Sequence, residues 1–150
     1  MSNSNLNTKQ IGDAGEYFAL ALFGFHGLPA IKAPDNWPDY DLLVRLPDGS
    51  LMKVSVKTSR ESGTQPELVW GDTDEADFLV YVVIPAQQGD QPEAWVFPVP
   101  VISALASRSD KTGQRWISLK KIRRLPELAG WRNHWRAPLT HGAANQAPDA

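Results

Sequence analysis

The chain contains no cysteine. That absence excludes a disulfide-stapled scaffold, a cysteine nucleophile and a thiolate zinc site. Histidine is almost as scarce: His26, His134 and His141 show no metal-ligand spacing and are left with surface or capping roles. No apolar run approaches the roughly 20 residues of a membrane-spanning helix. The first residues, MSNSNLNTKQ, lack the apolar stretch of a secretory signal. A cytoplasmic protein with no membrane partner is the expectation. What is present suits one ordinary globular domain: 150 residues, 42% hydrophobic and 21% charged. This balance excludes a coiled coil, a collagen and a wholly disordered chain.

A formal net charge of −2 hides a division. Residues 1–107 carry 6 Lys+Arg against 14 Asp+Glu, a net of −8, and residues 108–150 carry 9 against 3, a net of +6. Such asymmetry is compatible with a metal site in the acidic part and a phosphate-contacting surface in the basic part. It is equally compatible with two patches that pair inside the fold.

Residues 1–7 and 138–150 read as disordered ends, and 8–137 as a single domain. Thr8 to about Phe25 carries a helical apolar stripe (Ile11, Phe18, Leu22, Phe25), with Thr8 as its N-cap. Leu28–Ala33 reads as a short strand and 34–38 as a turn. The clearest element is a hairpin from Tyr40 to Ser59. Its loop, Pro47-Asp48-Gly49, suits a type I turn closed by a left-handed glycine. That loop length places Leu43 opposite Lys53 and Asp41 opposite Ser55. One face is then Leu42, Val44, Leu46, Met52, Val54 and Val56, and the other carries Asp41, Lys53, Ser55 and Lys57. Residues 60–76 read as a loop, and Asp77–Ile84 as a central strand buried on both faces. The acidic run Asp72, Asp74, Glu75 and Asp77 lacks the spacing and glycine of an EF-hand and reads as solvated. Glu93–Val99 and Arg115–Leu119 read as strands, and Ile102–Ser107 as the start of a helix. Lys120–Ala129 reads as a basic helix, with Trp131 and Trp135 at helical spacing beyond it. The sum is an α/β domain with a mixed β-sheet and flanking helices.

Chemistry concentrates at the hairpin. Asp41 at a strand entry and Lys57 near the exit of its antiparallel partner come together. Such an Asp–Lys pair can hold a divalent cation and orient an attacking water. Glu16, a lone acid on an apolar stretch of the first helix, adds a second carboxylate that needs a partner, solvent or a metal. Each residue also has a plain reading: Asp41 as a turn residue, Lys57 as a solvated strand residue, Glu16 as a helix glutamate paired with a lysine.

The order Gly15-Glu16, then Pro38-Asp39-Tyr40-Asp41, then Val54-Ser55-Val56-Lys57-Thr58 resembles the PD-(D/E)XK nuclease superfamily, and within it the small Holliday-junction-resolvase-like endonucleases. The resemblance covers about residues 8–84, and more loosely the DFLVYVVIP and WVFPVP strands. It implies a restriction-endonuclease-like core and a DNA endonuclease dependent on Mg2+ or Mn2+. It also implies Asp41 as the motif aspartate, Lys57 as the motif lysine, Glu16 as the helix carboxylate and the Val56 carbonyl as a further metal ligand. Ser55 stands where this family's second acid belongs. A serine is a short neutral ligand, so the site loses one negative charge unless Glu16, Asp39 or Glu61 compensates. Two functions are therefore open. One is an active metal-dependent endonuclease; the other is a catalytically inactive module on the same fold that binds nucleic acid or a protein partner. Lys120, Lys121, Arg123 and Arg124 are the candidate contacts to the phosphate backbone of DNA. A homodimer would supply the two sites that cutting both strands requires.

Overall fold

The computed structural model of the chain describes residues 6–34, 37, 40–62, 65–71 and 75–142. Asp39 and Asp72–Asp74 lie outside those residues. In chain order the elements are α1 (Thr8–Phe25), β1 (Ala30–Lys32), β2 (Leu42–Arg45), β3 (Leu51–Arg60), β4 (Glu67–Trp70), β5 (Phe78–Ile84), β6 (Glu93–Pro98), α2 (Val99–Leu105), β7 (Ser107–Arg108), β8 (Arg115–Ser118), α3 (Leu119–Arg124), α4 (Pro126–Ala129) and a π-helical turn, Pro138–Gly142. Among the described residues no helix is long and apolar enough to cross a membrane.

The β2–β3 hairpin has the register that its loop dictates, with Leu43 opposite Lys53 and Val44 opposite Met52. Gly49 takes φ +88°, and the Leu46 amide donates to the Ser50 carbonyl at 2.9 Å. Asp48 Oδ1 accepts from the Ser50 amide at 2.9 Å and from its hydroxyl at 2.6 Å, which closes the turn. The hairpin belongs to a five-stranded sheet ordered β1-β2-β3-β5-β6, antiparallel except for the β3–β5 pair. β5 is buried on both faces because two cores meet on it. Phe78, Val80 and Val82 join Leu42, Val44, Met52, Val54 and Val56 beneath α1. Leu79, Tyr81 and Val83 face a second, three-stranded sheet, β4-β8-β7, together with Ile102 of α2 and Ile122 of α3.

Several elements differ from the sequence reading. Asn7, not Thr8, caps α1: its Oδ1 accepts from the Gln10 amide while the Gln10 side chain accepts from the Asn7 amide, and the reciprocal pair outcompetes a lone threonine hydroxyl. The 60–76 loop contains β4, whose four residues alternate exposed and buried but are too few to signal a strand. The basic helix breaks at Leu125, because Pro126 forces its predecessor into an extended conformation (φ −75°, ψ 120°). Trp131 and Trp135 are not helical. Residues 131–133 turn alongside β6, where the Val96 amide donates to the Trp131 carbonyl and the Asn133 amide to the Ala94 carbonyl. This covers an otherwise open sheet edge. It also sends Trp135 into the first core, edge-on to Phe23. The described chain stays packed past residue 137: Leu139 rests on the first core.

The docking of α1 depends on one missing side chain. A Cβ on Gly15 would stand 2.9 Å from Thr58 Cβ and 3.0 Å from Thr58 Cγ2, with Thr58 Oγ1 nearer still. Thr58 is β-branched and set in a strand, so it cannot swing aside. Gly12, one turn earlier, has nothing within 4 Å of the same position. Gly15→Ala is therefore expected to lower the unfolding free energy by about 1–3 kcal/mol through overpacking. Gly12→Ala should leave it unchanged or raise it by up to about 1 kcal/mol. Urea denaturation of both variants checks the contrast.

Candidate active site

The β2–β3 ladder ends one residue short of the regular pattern. Leu42 pairs with Val54, yet the Asp41 amide also donates to the Val54 carbonyl, at 2.9 Å. Two residues thus face one, the pattern of a β-bulge, which re-aims a side chain. Asp41 does not stand square to Ser55. Its Oδ2 instead accepts the Val56 amide at 2.7 Å, the donor that a longer β2 would have bonded with a main-chain carbonyl. The carboxylate therefore caps β3 at the point where β2 runs out. The Asp41 carbonyl accepts from the Ala33 amide at 2.8 Å, which ties the same residue to the end of β1.

The tight Gly15–Thr58 contact brings Glu16 to this place. Burial raises the Glu16 carboxyl above its ordinary value of 4.5, and the neighbouring Asp41 carboxylate raises it further. Lys32, at the end of β1, opposes the shift: its Nζ lies 3.5 Å from Glu16 Oε1. The same ammonium sits 4.4 Å from the centre of the Tyr17 ring. Lys32 was missed in the sequence reading. The available signal was parity, since Lys32 pairs with Leu42, whose side chain points into the core beneath α1.

Ser55 and Lys57 alternate with Val54 and Val56, and so project from the opposite face of β3. Ser55 is 3% exposed and lies beside Leu79, while Lys57 is half-buried beside Tyr81. Glu61, considered as a compensating acid, is engaged elsewhere: Arg123 Nη2 is 2.8 Å from Glu61 Oε2 and 2.6 Å from Glu93 Oε1. Lys121 Nζ donates to the Leu105 carbonyl at 3.4 Å. Lys120 and Arg124 are exposed on α3. Among the described residues no three His, Asp or Glu side chains converge as a metal cage. The local donor set is the Asp41 carboxylate on the Val56 main chain and, near enough to repel it, the Glu16 carboxylate.

Because its carboxyl is raised in the folded state, Glu16 binds a proton more tightly there than in the unfolded chain. Its contribution to stability is thus full at low pH and declines as pH climbs from 4.5 through the folded-state value. Glu16→Gln should consequently raise the melting temperature of the metal-free protein at pH 7, by a few degrees at most, and the gain should disappear towards pH 4. Calorimetric melting of both proteins across that range tests the sign.

Comparison with known proteins bears on the fold. No family profile and no curated protein sequence matches this chain. Among solved structures it is similar to a bacterial homing endonuclease, I-Ssp6803I, with a TM-score of 0.66 and 24% identity, covering 95% of this chain and 100% of the other. A Holliday junction resolvase, Hjc of Archaeoglobus fulgidus, aligns with a TM-score of 0.45 and 13% identity over 69% of this chain and 88% of the other. The first likeness spans nearly all of both chains, and with it the mixed five-stranded sheet and flanking helices show a restriction-endonuclease-like fold.

Proposed function

We propose that the protein is a metal-dependent DNA endonuclease that hydrolyses phosphodiester bonds. The observation that carries this reading is that Glu16 of α1 lies near enough to Asp41 for the two carboxylates to repel, with Asp41 fixed on the Val56 amide, on a nuclease fold. Two carboxylates forced together, one with a raised pKa, fit a divalent cation better than they fit each other. Glu16, Asp41 and the Val56 carbonyl would hold Mg2+ or Mn2+. The Val56 carbonyl suits this role because the N–H and C=O of one strand residue point to the same side, and its N–H already points at Asp41. The bound ion would activate a water and stabilise charge on the phosphate.

The residues of the chain have distinct tasks. Asp41 fixes its carboxylate on the Val56 amide, so it is preorganised rather than mobile. Lys57 supplies the positive charge that orients the nucleophile and offsets charge developing on the phosphorus oxygens. Ser55, neutral and buried, contributes only indirectly. Lys120 and Arg124 would contact phosphates away from the cut, whereas Arg123 is occupied by Glu61 and Glu93. Cutting both strands would call for two copies of the chain, acting on DNA in the cytoplasm.

A second reading has a specific observation in its favour. Position 55, buried at 3% exposure, is a serine rather than an acid, which leaves two carboxylates where relatives implied by the sequence resemblance would have three. That would suit a silent binding module. Manganese calorimetry and nicking of supercoiled DNA separate the two. In an active enzyme Asp41→Asn should weaken manganese binding more than about tenfold, about 1.4 kcal/mol. Ser55→Ala should change it less than about threefold, and Lys57→Ala should abolish nicking while leaving metal binding in place. An absence of manganese binding in the parent chain would reject the catalytic reading. Binding with no nicking of supercoiled or branched DNA would favour the silent module.

A further inference from the structure

The end of the sheet that carries Asp41 is bordered by aromatic side chains that no core requires. Tyr17 of α1 is 58% exposed, and Trp37, between β1 and β2, is 53% exposed. Trp70, Trp95 and Trp135 are buried at 4% or less. Phe25, at the far end of α1, is exposed too, so it is the position of Tyr17 and Trp37 beside the Asp41 strand end that sets them apart. Tyr40, directly before Asp41, is half-buried.

Two of these rings carry a lysine. Lys32 lies over Tyr17 at 4.4 Å, and Lys53 lies over Tyr40 at 5.6 Å. The two pairs straddle the sheet. Lys32 has the parity of Leu42 and stands on the α1 side; Lys53 alternates with Met52 and Val54, both buried under α1, and stands on the other. Asp41 lies between them and is linked to both sides, through Ala33 next to Lys32 and through Val54 next to Lys53.

We infer that this rim of Tyr17, Lys32, Trp37, Tyr40 and Lys53 is a binding surface for unpaired nucleotides of DNA, placed beside the carboxylate pair. The inference rests on the endonuclease reading above and adds the form of DNA taken at the site. Paired bases keep their faces stacked inside a duplex and cannot use an aromatic rim. Unpaired bases can, and each base stacked on an aromatic side chain is worth about 1–3 kcal/mol whatever its sequence. Lys53 would meet a phosphate between such bases, while Lys32, already 3.5 Å from Glu16, adds positive charge beside the Tyr17 ring. Rings and ammonium groups on both sides of the strand end therefore offer partners to the bases and to the phosphates of an unpaired strand. The rim would favour substrates with gaps, flaps or open branch points over continuous duplex.

The test uses the full chain in EDTA, so that no strand is cut, with two labelled DNAs of equal length: a continuous duplex, and a duplex interrupted by a six-nucleotide unpaired stretch. Fluorescence anisotropy gives the affinities. The parent should bind the interrupted DNA about tenfold or more tightly than the duplex. Tyr17→Ala and Trp37→Ala should each weaken that binding by about 5- to 150-fold, the equivalent of one lost stack, and leave duplex binding unchanged. Tyr17→Phe and Trp37→Phe, which keep a ring, should retain it. Lys120→Ala with Arg124→Ala should weaken both DNAs alike. Interrupted-DNA binding that is indifferent to both alanine variants overturns the rim while leaving the endonuclease reading intact, as does equal weakening of the two DNAs. A parent that binds neither DNA overturns both.

Discussion

Thr58 fills the space that Gly15 leaves empty, and the rest of the site depends on that contact. A helix ordinarily stands off a sheet by the width of its side chains. Here one turn of α1 drops onto β3, and the next residue in sequence, Glu16, arrives beside Asp41 as a consequence. The contact is made without a hydrogen bond, since Thr58 Oγ1 is buried with no partner. A buried hydroxyl left unbonded costs about 1–3 kcal/mol. Burial of the apolar face of α1, with Ala19 and Phe23 in the first core, offsets that cost.

Bringing two carboxylates together at the edge of a hydrophobic core creates an electrostatic problem, and the chain answers it in three ways. Asp41 takes a short bond from the Val56 amide. Lys32 shares its charge between Glu16 and the Tyr17 ring. Ser55 keeps a third negative charge out of the neighbourhood altogether. Each device lowers the repulsion without removing it, and the raised Glu16 carboxyl is what remains. On the far side of the sheet a separate cluster is fully balanced: Arg123 joins Glu61 of the β3 end to Glu93 of β6, and Arg132 Nε lies 3.2 Å from Glu93 Oε2. That cluster pins α3 and the C-terminal turn to the sheet. It also accounts for part of the opposition between an acidic front and a basic back that the sequence displays.

The hairpin was legible because a tight turn leaves one register that buries every valine, and a slip by one residue would have exposed them all. β5 was legible from its unbroken apolar run. β4 was not, because four alternating residues carry too little signal. The C-terminal turn was not, because Trp131 and Trp135 keep helical spacing while their backbone instead bonds to β6. Within the site, Glu16, Asp41 and Lys57 stood out as polar groups at positions surrounded by apolar ones, but their mutual placement did not. Lys32 and the aromatic rim carried no motif and emerged only from the packing.

Local rules in the sequence determined the helix span, the hairpin register and the strand that both cores share, since all three follow from nearest-neighbour periodicity and turn chemistry. Tertiary structure alone decided that Asp41 bulges out of the ladder onto the Val56 amide, that Lys32 sits against Glu16, and that Arg123 is neutralised by Glu61 and Glu93. Those contacts join residues 15 to 62 positions apart. Their geometry is set by how closely a helix and a sheet approach, a distance that no local pattern of side chains encodes.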